Sequence, residues 1–139
     1  MDLGIKGRWA IVEAASKGLG KGSAAALAAE GVNLVLNARG KETLEETADK
    51  IRADNPEIQV LTLAGDITQI EIREALIKMS PQIDILVTNA GGPAPGNFRT
   101  DTRERWLSAL EAQLLGHADM ITKVVDQMVA RNFGRIVNI

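Results

Sequence analysis

The sequence has 139 residues, which suits one domain, and it is 45% hydrophobic and 24% charged, close to the average for a globular protein. A formal net charge of −2, with both signs scattered along the chain, argues against a nucleic-acid surface and a membrane-seeking helix. The chain has no cysteine, which excludes disulfides and thiolate metal sites, and no apolar run reaches the roughly 18 residues of a membrane span.

Short apolar runs alternate with helical patterns through the first half of the chain. Glycine 31 follows the first helical pattern, as a glycine just past a helix end often does. The apolar residues Leu44, Ala48 and Ile51 form one stripe on the second helix, and Leu19, Ala26 and Leu27 are spaced likewise on the first. The patterns predict strands at 9–12, 32–37 and 59–64, and helices at 18–30, 41–54 and 70–79.

The second half continues the alternation. It predicts a strand at 83–87, a Gly/Pro-rich loop at 89–97, two helices in succession over 103–131, and a fifth strand at 134–139. The order βαβαβαβααβ calls for a doubly wound α/β fold, in which a parallel sheet carries helices on both faces. Ligands of such sheets bind beyond the carboxyl ends of the strands at the switch point. The turns after strands one and four are therefore the candidate site.

The first of these turns runs from Glu13 to Gly20. Glycines at 18 and 20 allow a tight turn and a close approach to a pyrophosphate, which the free N–H groups of the next helix would face. A plain strand-to-helix turn remains the alternative. A phosphate-loop NTPase fits poorly, because Gly22 follows Lys21 where a Ser or Thr is needed for Mg²⁺.

The second strand ends in Asn37-Ala38-Arg39, where an NAD site would normally carry an acid for the ribose 2′-hydroxyl. The missing acid, the guanidinium of Arg39 and the nearby charge of Lys17 favour the 2′-phosphate of NADP(H). The alternative is that both cations are merely solvated surface residues.

Several further features have more than one interpretation. Asp66 follows the third strand, where it can accept from an adenine amino group or cap the next helix. The small residues of 88–93 either let ribose and nicotinamide lie against backbone or form a plain loop. We interpret His117 as a surface or helix-packing residue, the acidic run 42–46 as a solvated face, and the following set as core or subunit interface rather than substrate pocket: Trp106, Leu107, Leu110, Leu114 and Leu115.

Together these motifs resemble the short-chain dehydrogenase/reductase family over the whole chain. The family's Thr-Gly-x-x-x-Gly-x-Gly motif falls on 13–20, its adenine-site Asp on Asp66, its Asn-Asn-Ala-Gly motif on 88–91, and its fifth strand on 134–139. The resemblance implies a Rossmann-type, three-layer αβα domain over 1–139 that ends at the fifth strand. It implies a cofactor site at Ala14, Ser16, Lys17, Gly18, Leu19, Gly20, Asn37, Arg39, Asp66, Ile67, Asn89, Ala90 and Gly91.

Members of the family use a serine, a tyrosine and a lysine for hydride transfer, with an asparagine in the proton relay. The asparagine position falls on Gln113, whereas the other three have no counterpart here and the chain contains no tyrosine. Glu13, Ala14 and Thr88 also depart from the motifs: the carboxylate would repel a pyrophosphate unless turned away, and the Ala14 methyl would crowd the turn.

The resemblance, nearest to the 3-oxoacyl-(acyl-carrier-protein) reductase group, implies an NADP(H)-dependent oxidoreductase acting on a small carbonyl substrate. We expect the 139-residue chain alone to be inactive, and the alternative is a non-catalytic nucleotide-binding or engineered half-Rossmann scaffold. An open edge at the fifth strand predicts a homo-oligomer or a covering segment. Because Met1 to Arg8 carries no apolar leader, we expect a cytoplasmic location.

Overall fold

The computed structural model describes residues 2–139. Of the segment 1–8, on which the expected absence of a leader depends, only Met1 lies outside the described residues. Strands and helices alternate as the apolar runs and helical patterns predict, with boundaries that differ by one or two residues. Their bounds are β1 Trp9–Val12, α1 Gly18–Ala29, β2 Asn33–Ala38, α2 Lys41–Asp54, β3 Val60–Ala64, α3 Ile70–Met79, β4 Ile85–Thr88, α4 Arg103–Leu110, a π-helical turn Glu111–Leu115, α5 Gly116–Ala130 and β5 Arg135–Asn138.

The five strands form one sheet in the order β3-β2-β1-β4-β5, and every neighbouring pair is parallel. This confirms the predicted doubly wound α/β fold. The direction of winding changes between β1 and β4, whose carboxyl ends therefore open a crevice. The turns after these two strands flank that crevice, as the sequence predicts.

Helices cover both faces of the sheet, and the side chains of β1 alternate between two cores. Ala10 and Val12 pack with α1 and α2, whereas Trp9 and Ile11 pack with α3 and α5. All four residues are buried. Burial on both faces explains why the strands read as continuous apolar runs instead of alternating ones.

Two packing expectations are wrong in part. On α1 the buried residues are Gly20, Ala24 and Ala28, while Leu19 is 69% exposed. The small stripe lets α1 lie close to the sheet, and Leu19 points toward the crevice instead. The apolar set of α4 and the π-helical turn is not core, because its side chains are about half exposed: Trp106, Leu107, Leu110, Leu114 and Leu115.

Arg73 of α3 is buried and joins the layers below the crevice. Its guanidinium donates to the carbonyl oxygens of Ile67 and Thr68, both at 2.9 Å, and to Asp119 Oδ2 at 2.7 Å. Glu111 Oε1 lies 3.6 Å from the same group. One side chain thus fixes the turn after β3 relative to the junction between the π-helical turn and α5. No helix within 2–139 is long and apolar enough to cross a membrane.

Candidate cofactor site

A cleft of about 900 Å³ occupies the crevice at the carboxyl ends of the strands. Its walls come from the turn after β1, the ends of β2 and β3, the loop after β4, and α4. All the cofactor residues predicted from the sequence line it except Gly20, which is buried beneath the turn. The structure therefore brings residues from four separate turns to one concave surface.

The turn after β1 forms the floor of the cleft. Glycine 18 has a φ of +58°, a left-handed conformation that a glycine adopts without strain. Lys17 is the N-cap of α1 but makes no side-chain capping bond. The first N–H groups of α1 therefore keep their capacity to bind an anion at the positive end of the helix. Beneath them, the Ala15 N–H donates to the Asn37 carbonyl at 2.8 Å and ties the turn to β2.

Ala14 adopts a φ of +48° where the family motif has a glycine. The left-handed region costs an L-residue about 1–2 kcal/mol, whereas glycine loses roughly 0.5–1 kcal/mol through its greater unfolded-chain entropy. We expect Ala14→Gly to raise the free energy of unfolding by about 0.5–1 kcal/mol, measured by urea denaturation. An unchanged or lower free energy would show that the turn relaxes around the methyl group.

Arg39 and Asp66 lie together at one end of the cleft. Asp66 Oδ1 accepts from the backbone N–H of Thr68 at 3.0 Å and from its hydroxyl at 2.8 Å. These bonds and the Arg39 charge hold the pKa of Asp66 below its usual range, so it is ionised at neutral pH. Because its bonds close a turn at Thr68, Asp66 does not cap α3, whose N-cap is Gln69. The capping alternative is thus wrong.

Asn37, beside them, braces this end without reaching far into the cleft. Its amide group donates to the carbonyls of Leu63 and Gly65, at 3.0 and 3.1 Å, and its side chain is buried. These two bonds tie the end of β2, which precedes Arg39, to the end of β3, which precedes Asp66.

Asn89, Ala90 and Gly91 form the wall of the cleft that follows β4. Gln113 does not line the cleft, because its Nε2 donates to the Gly91 carbonyl at 3.0 Å. The π-helical turn that carries Gln113 thereby supports the loop after β4. Below the loop, Thr88 contacts Asn138 across β4 and β5, with 2.6 Å between the hydroxyl and the amide oxygen.

The sequence analysis missed two contributors. Thr47 of α2 is buried, and its hydroxyl donates to the Ser16 carbonyl at 3.1 Å, which supports the floor from outside. Arg105 of α4 lines the cleft and donates to the Ala94 carbonyl at 3.0 Å. Two signals in the sequence could have indicated them. Thr47 lies within the apolar stripe of a helix, and Arg105 forms an i,i+4 pair with Asp101.

Glu13 is turned away from the cleft, so its side chain does not contact a pyrophosphate bound there. It continues the alternation of β1, which directs its side chain to the α3 and α5 face. There it is fully buried, with Oε2 at 3.2 Å from the Asn89 N–H and 3.9 Å from His117 Nε2. His117 is a packing residue, as expected, but it has an acidic neighbour that its position in the sequence does not reveal.

Burial raises the pKa of Glu13 to about 8, against the Asn89 hydrogen bond and the Arg73 charge, and burial lowers the pKa of His117. Unfolded glutamate titrates near 4.5 and histidine near 6.5. Between pH 4.5 and 6.5 the two linkages oppose each other. Between pH 6.5 and 8, Glu13 is protonated in the folded state and ionised in the unfolded state, while unfolded His117 is neutral. Unfolding therefore releases a proton, and the free energy of unfolding falls as pH rises.

We therefore expect the free energy of unfolding to drop by roughly 1–2 kcal/mol from pH 6.5 to 8.5. Glu13→Gln removes the titrating group and should flatten this profile. Urea denaturation at intervals of half a pH unit measures it, with Glu42→Gln, an exposed residue of α2, as control. A wild-type profile without slope above pH 6.5 would contradict the assignment.

Several curated proteins are similar to this chain. The NADPH-dependent reductase BacG of Bacillus subtilis is 33% identical over 136 residues, which cover 95% of this chain and 52% of BacG. The 3-oxoacyl-(acyl-carrier-protein) reductase FabG of Staphylococcus epidermidis is 31% identical, with 94% of this chain and 54% of FabG covered. The chain thus spans about half the length of these relatives.

Solved structures are similar over the same part. The L-sorbose reductase of Gluconobacter frateurii, crystallised with NADPH and L-sorbose, superposes with a TM-score of 0.90 at 30% identity. The match covers 99% of this chain and 54% of that one. Residues 8–139 match the family described as short chain dehydrogenase. Fold, motif positions and this match together show that the chain belongs to the short-chain dehydrogenase family.

Proposed function

We propose that residues 1–139 form one partial NADP(H)-binding domain of a short-chain reductase that acts on a carbonyl or alcohol substrate. The observation that carries this proposal is the placement of Arg39 and Asp66 at one end of a cleft whose floor is the uncapped start of α1. A dinucleotide with a 2′-phosphate needs a cation, an adenine acceptor and an anion-binding helix end.

The lining residues fit such a cofactor group by group. Arg39 and Lys17 would bind the 2′-phosphate, and the free Asp66 Oδ2 would accept from the adenine amino group. Gly18 and the following N–H groups would hold the pyrophosphate, while the 89–91 backbone would support the ribose and nicotinamide. When bound, NADP(H) supplies or accepts a hydride; the residues of this chain bind and orient it.

The test is calorimetric titration of the protein with NADP⁺ and NAD⁺ under the same conditions. We expect NADP⁺ to bind and NAD⁺ to bind at least about tenfold more weakly, because a charged hydrogen-bonding partner contributes roughly 1.5–3 kcal/mol. Equal affinities would contradict the role of Arg39. Absence of binding by either nucleotide would contradict a cofactor domain.

Catalysis needs groups that this chain does not contain. The sequence has no tyrosine, and a tyrosine is the general acid in the family that the chain resembles. General acids contribute factors of about 10² to 10⁴, so we expect no hydride transfer by the 139-residue polypeptide. The substrate class by resemblance is a 3-oxoacyl thioester. NADPH consumption with such a substrate above the rate without protein would contradict this expectation.

A second candidate is a nucleotide-binding or scaffold domain without chemistry. The observation that favours it is the Gln113 amide, which is engaged by the Gly91 carbonyl at 3.0 Å instead of facing the cleft. The nucleotide titration separates a binder from an empty scaffold. Turnover by a longer polypeptide that contains the serine, tyrosine and lysine would exclude a domain without chemistry.

We also propose that a second copy or a further segment covers the β5 side. All four residues of β5 are exposed, and β5 lies at the edge of the sheet next to β4 only. Unpaired backbone groups at an edge invite pairing with another chain. Sedimentation should show a species larger than 14.9 kDa, and a monomer at high concentration would contradict self-association.

A further inference from the structure

Glu13 and His117 meet in the interior although neither lines the cleft. Glu13 follows β1, and His117 lies in the first turn of α5. Both side chains are buried, with the carboxylate Oε2 at 3.9 Å from the imidazole Nε2. The same Oε2 accepts from the backbone N–H of Asn89 at 3.2 Å, so the pair touches the loop that forms one end of the cleft.

Both side chains have an unsatisfied polar atom in the interior. Among residues 2–139, Glu13 Oε1 and His117 Nε2 are buried without a hydrogen-bond partner. An ionised Glu13 beside a neutral imidazole would place a net negative charge on a fully buried pair, which is costly. One additional proton removes that net charge, either as a neutral carboxyl beside a neutral imidazole or as a carboxylate beside an imidazolium. Burial therefore favours a pair that holds one such proton.

We propose that Glu13 and His117 act as positioning residues that share one proton and, in that state, hold the Asn89 N–H and the nicotinamide end of the cleft in place. This inference rests on the proposed cofactor function. Loss of the proton leaves a buried negative charge directly behind the loop. Because NADP(H) is strongly anionic, that charge weakens its binding.

The other charged groups around the pair are engaged with one another. From α3, Arg73 faces Glu13, but its guanidinium is held by Asp119 and by two backbone carbonyls. Glu111 of the π-helical turn and Lys123 of α5 complete this outer group, at 3.6 Å from Arg73 and from Asp119 respectively. The turn after β4 contributes only the uncharged Asn89.

The first measurement follows His117 by NMR, because it is the only histidine of the chain and its imidazole signals are unambiguous. We expect a chemical-shift step near pH 8 that reports the ionisation of Glu13. Glu13→Gln should remove this step, and Asp126→Asn, an exposed residue of α5, should retain it. Identical titrations in wild type and Glu13→Gln would overturn the shared proton.

The second measurement is the Kd for NADP⁺ from pH 6.5 to 9. We expect wild-type Kd to rise about three- to tenfold above pH 8, since a buried charge behind the loop acts on the anionic cofactor through an intermediate dielectric. Glu13→Gln retains an acceptor for Asn89 and a donor for His117, so it should bind like wild type at pH 7 and show no rise. His117→Gln should also alter the dependence of the Kd for NADP⁺ on pH.

Parallel Kd profiles in wild type and Glu13→Gln would overturn the positioning role. A failure of NADP⁺ to bind at any pH would instead contradict the proposed cofactor function. In that case the NMR titration, which needs no nucleotide, still confirms or refutes the shared proton.

Discussion

Replacement of Gly20 by alanine is expected to abolish measurable NADP(H) binding and to lower the free energy of unfolding by about 1–3 kcal/mol. A Cβ at this position would meet the carbonyl oxygen of Ala14 and would lie 2.8 Å from that of Glu13. Both obstacles are backbone, so neither can rotate away. The start of α1 would have to move off the turn, and the anion-binding N–H groups would move with it.

Gly22 provides a matched control on the same helix. A Cβ there meets no atom within 4 Å, so Gly22→Ala should stabilise α1 by roughly 0.5–1 kcal/mol and leave binding unchanged. Urea denaturation and calorimetric titration with NADP⁺ measure both variants. Equal behaviour of the two substitutions would show that the close approach of α1 to the turn is not what Gly20 provides.

The fold was predictable because local pattern and topology agree along this chain. The apolar stripe of Leu44, Ala48 and Ile51 is buried on α2 as predicted, and Gly31 has the positive φ expected after a helix end. Parallel order and right-handed crossovers then leave few ways to wind five strands. The position of the cleft follows from the same rule, since it depends on strand order and not on side-chain detail.

Details that depend on close packing were not predictable. The periodicity of α1 suggests that Leu19 is buried, whereas glycine and alanine form the actual contact, because the helix lies too close to the sheet for a larger side chain. The π-helical turn between α4 and α5 also has no signal in the apolar spacing. It holds Gln113 against the Gly91 carbonyl, which a regular helix would rotate away.

Contacts between residues far apart in the sequence were also predictable in one case and not in another. The ends of β2 and β3 lie at one sheet edge, so the approach of Arg39 and Asp66 follows from the strand order. The meeting of Glu13 with His117 does not, because it depends on which turn of α5 covers the end of β1. The signal in the sequence is an acid in place of the motif's threonine, and by itself it predicts a cost to the pyrophosphate and not one half of a pair.

Arg39→Ala is expected to raise the Kd for NADP⁺ by about 10- to 100-fold and to change that for NAD⁺ by less than about threefold. The estimate follows from losing a charged hydrogen-bonding partner, roughly 1.5–3 kcal/mol. Arg39 is exposed at the end of β2, and a Cβ on Gly91 would lie 3.4 Å from its Nη2. The guanidinium therefore reaches across the cleft mouth and is near the Asp66 charge.

Two comparisons separate recognition of the 2′-phosphate from general electrostatics. Lys50→Ala removes an exposed cation of α2 and should leave both Kd values unchanged within about a factor of two. Arg39→Lys retains the charge but not the planar, bidentate donor, so it should recover only part of the lost affinity. If Arg39→Ala weakened NADP⁺ and NAD⁺ equally, the residue would contribute to the shape of the cleft and not to the choice of cofactor. Discrimination would then depend on Lys17, the other cation beside the floor of the cleft.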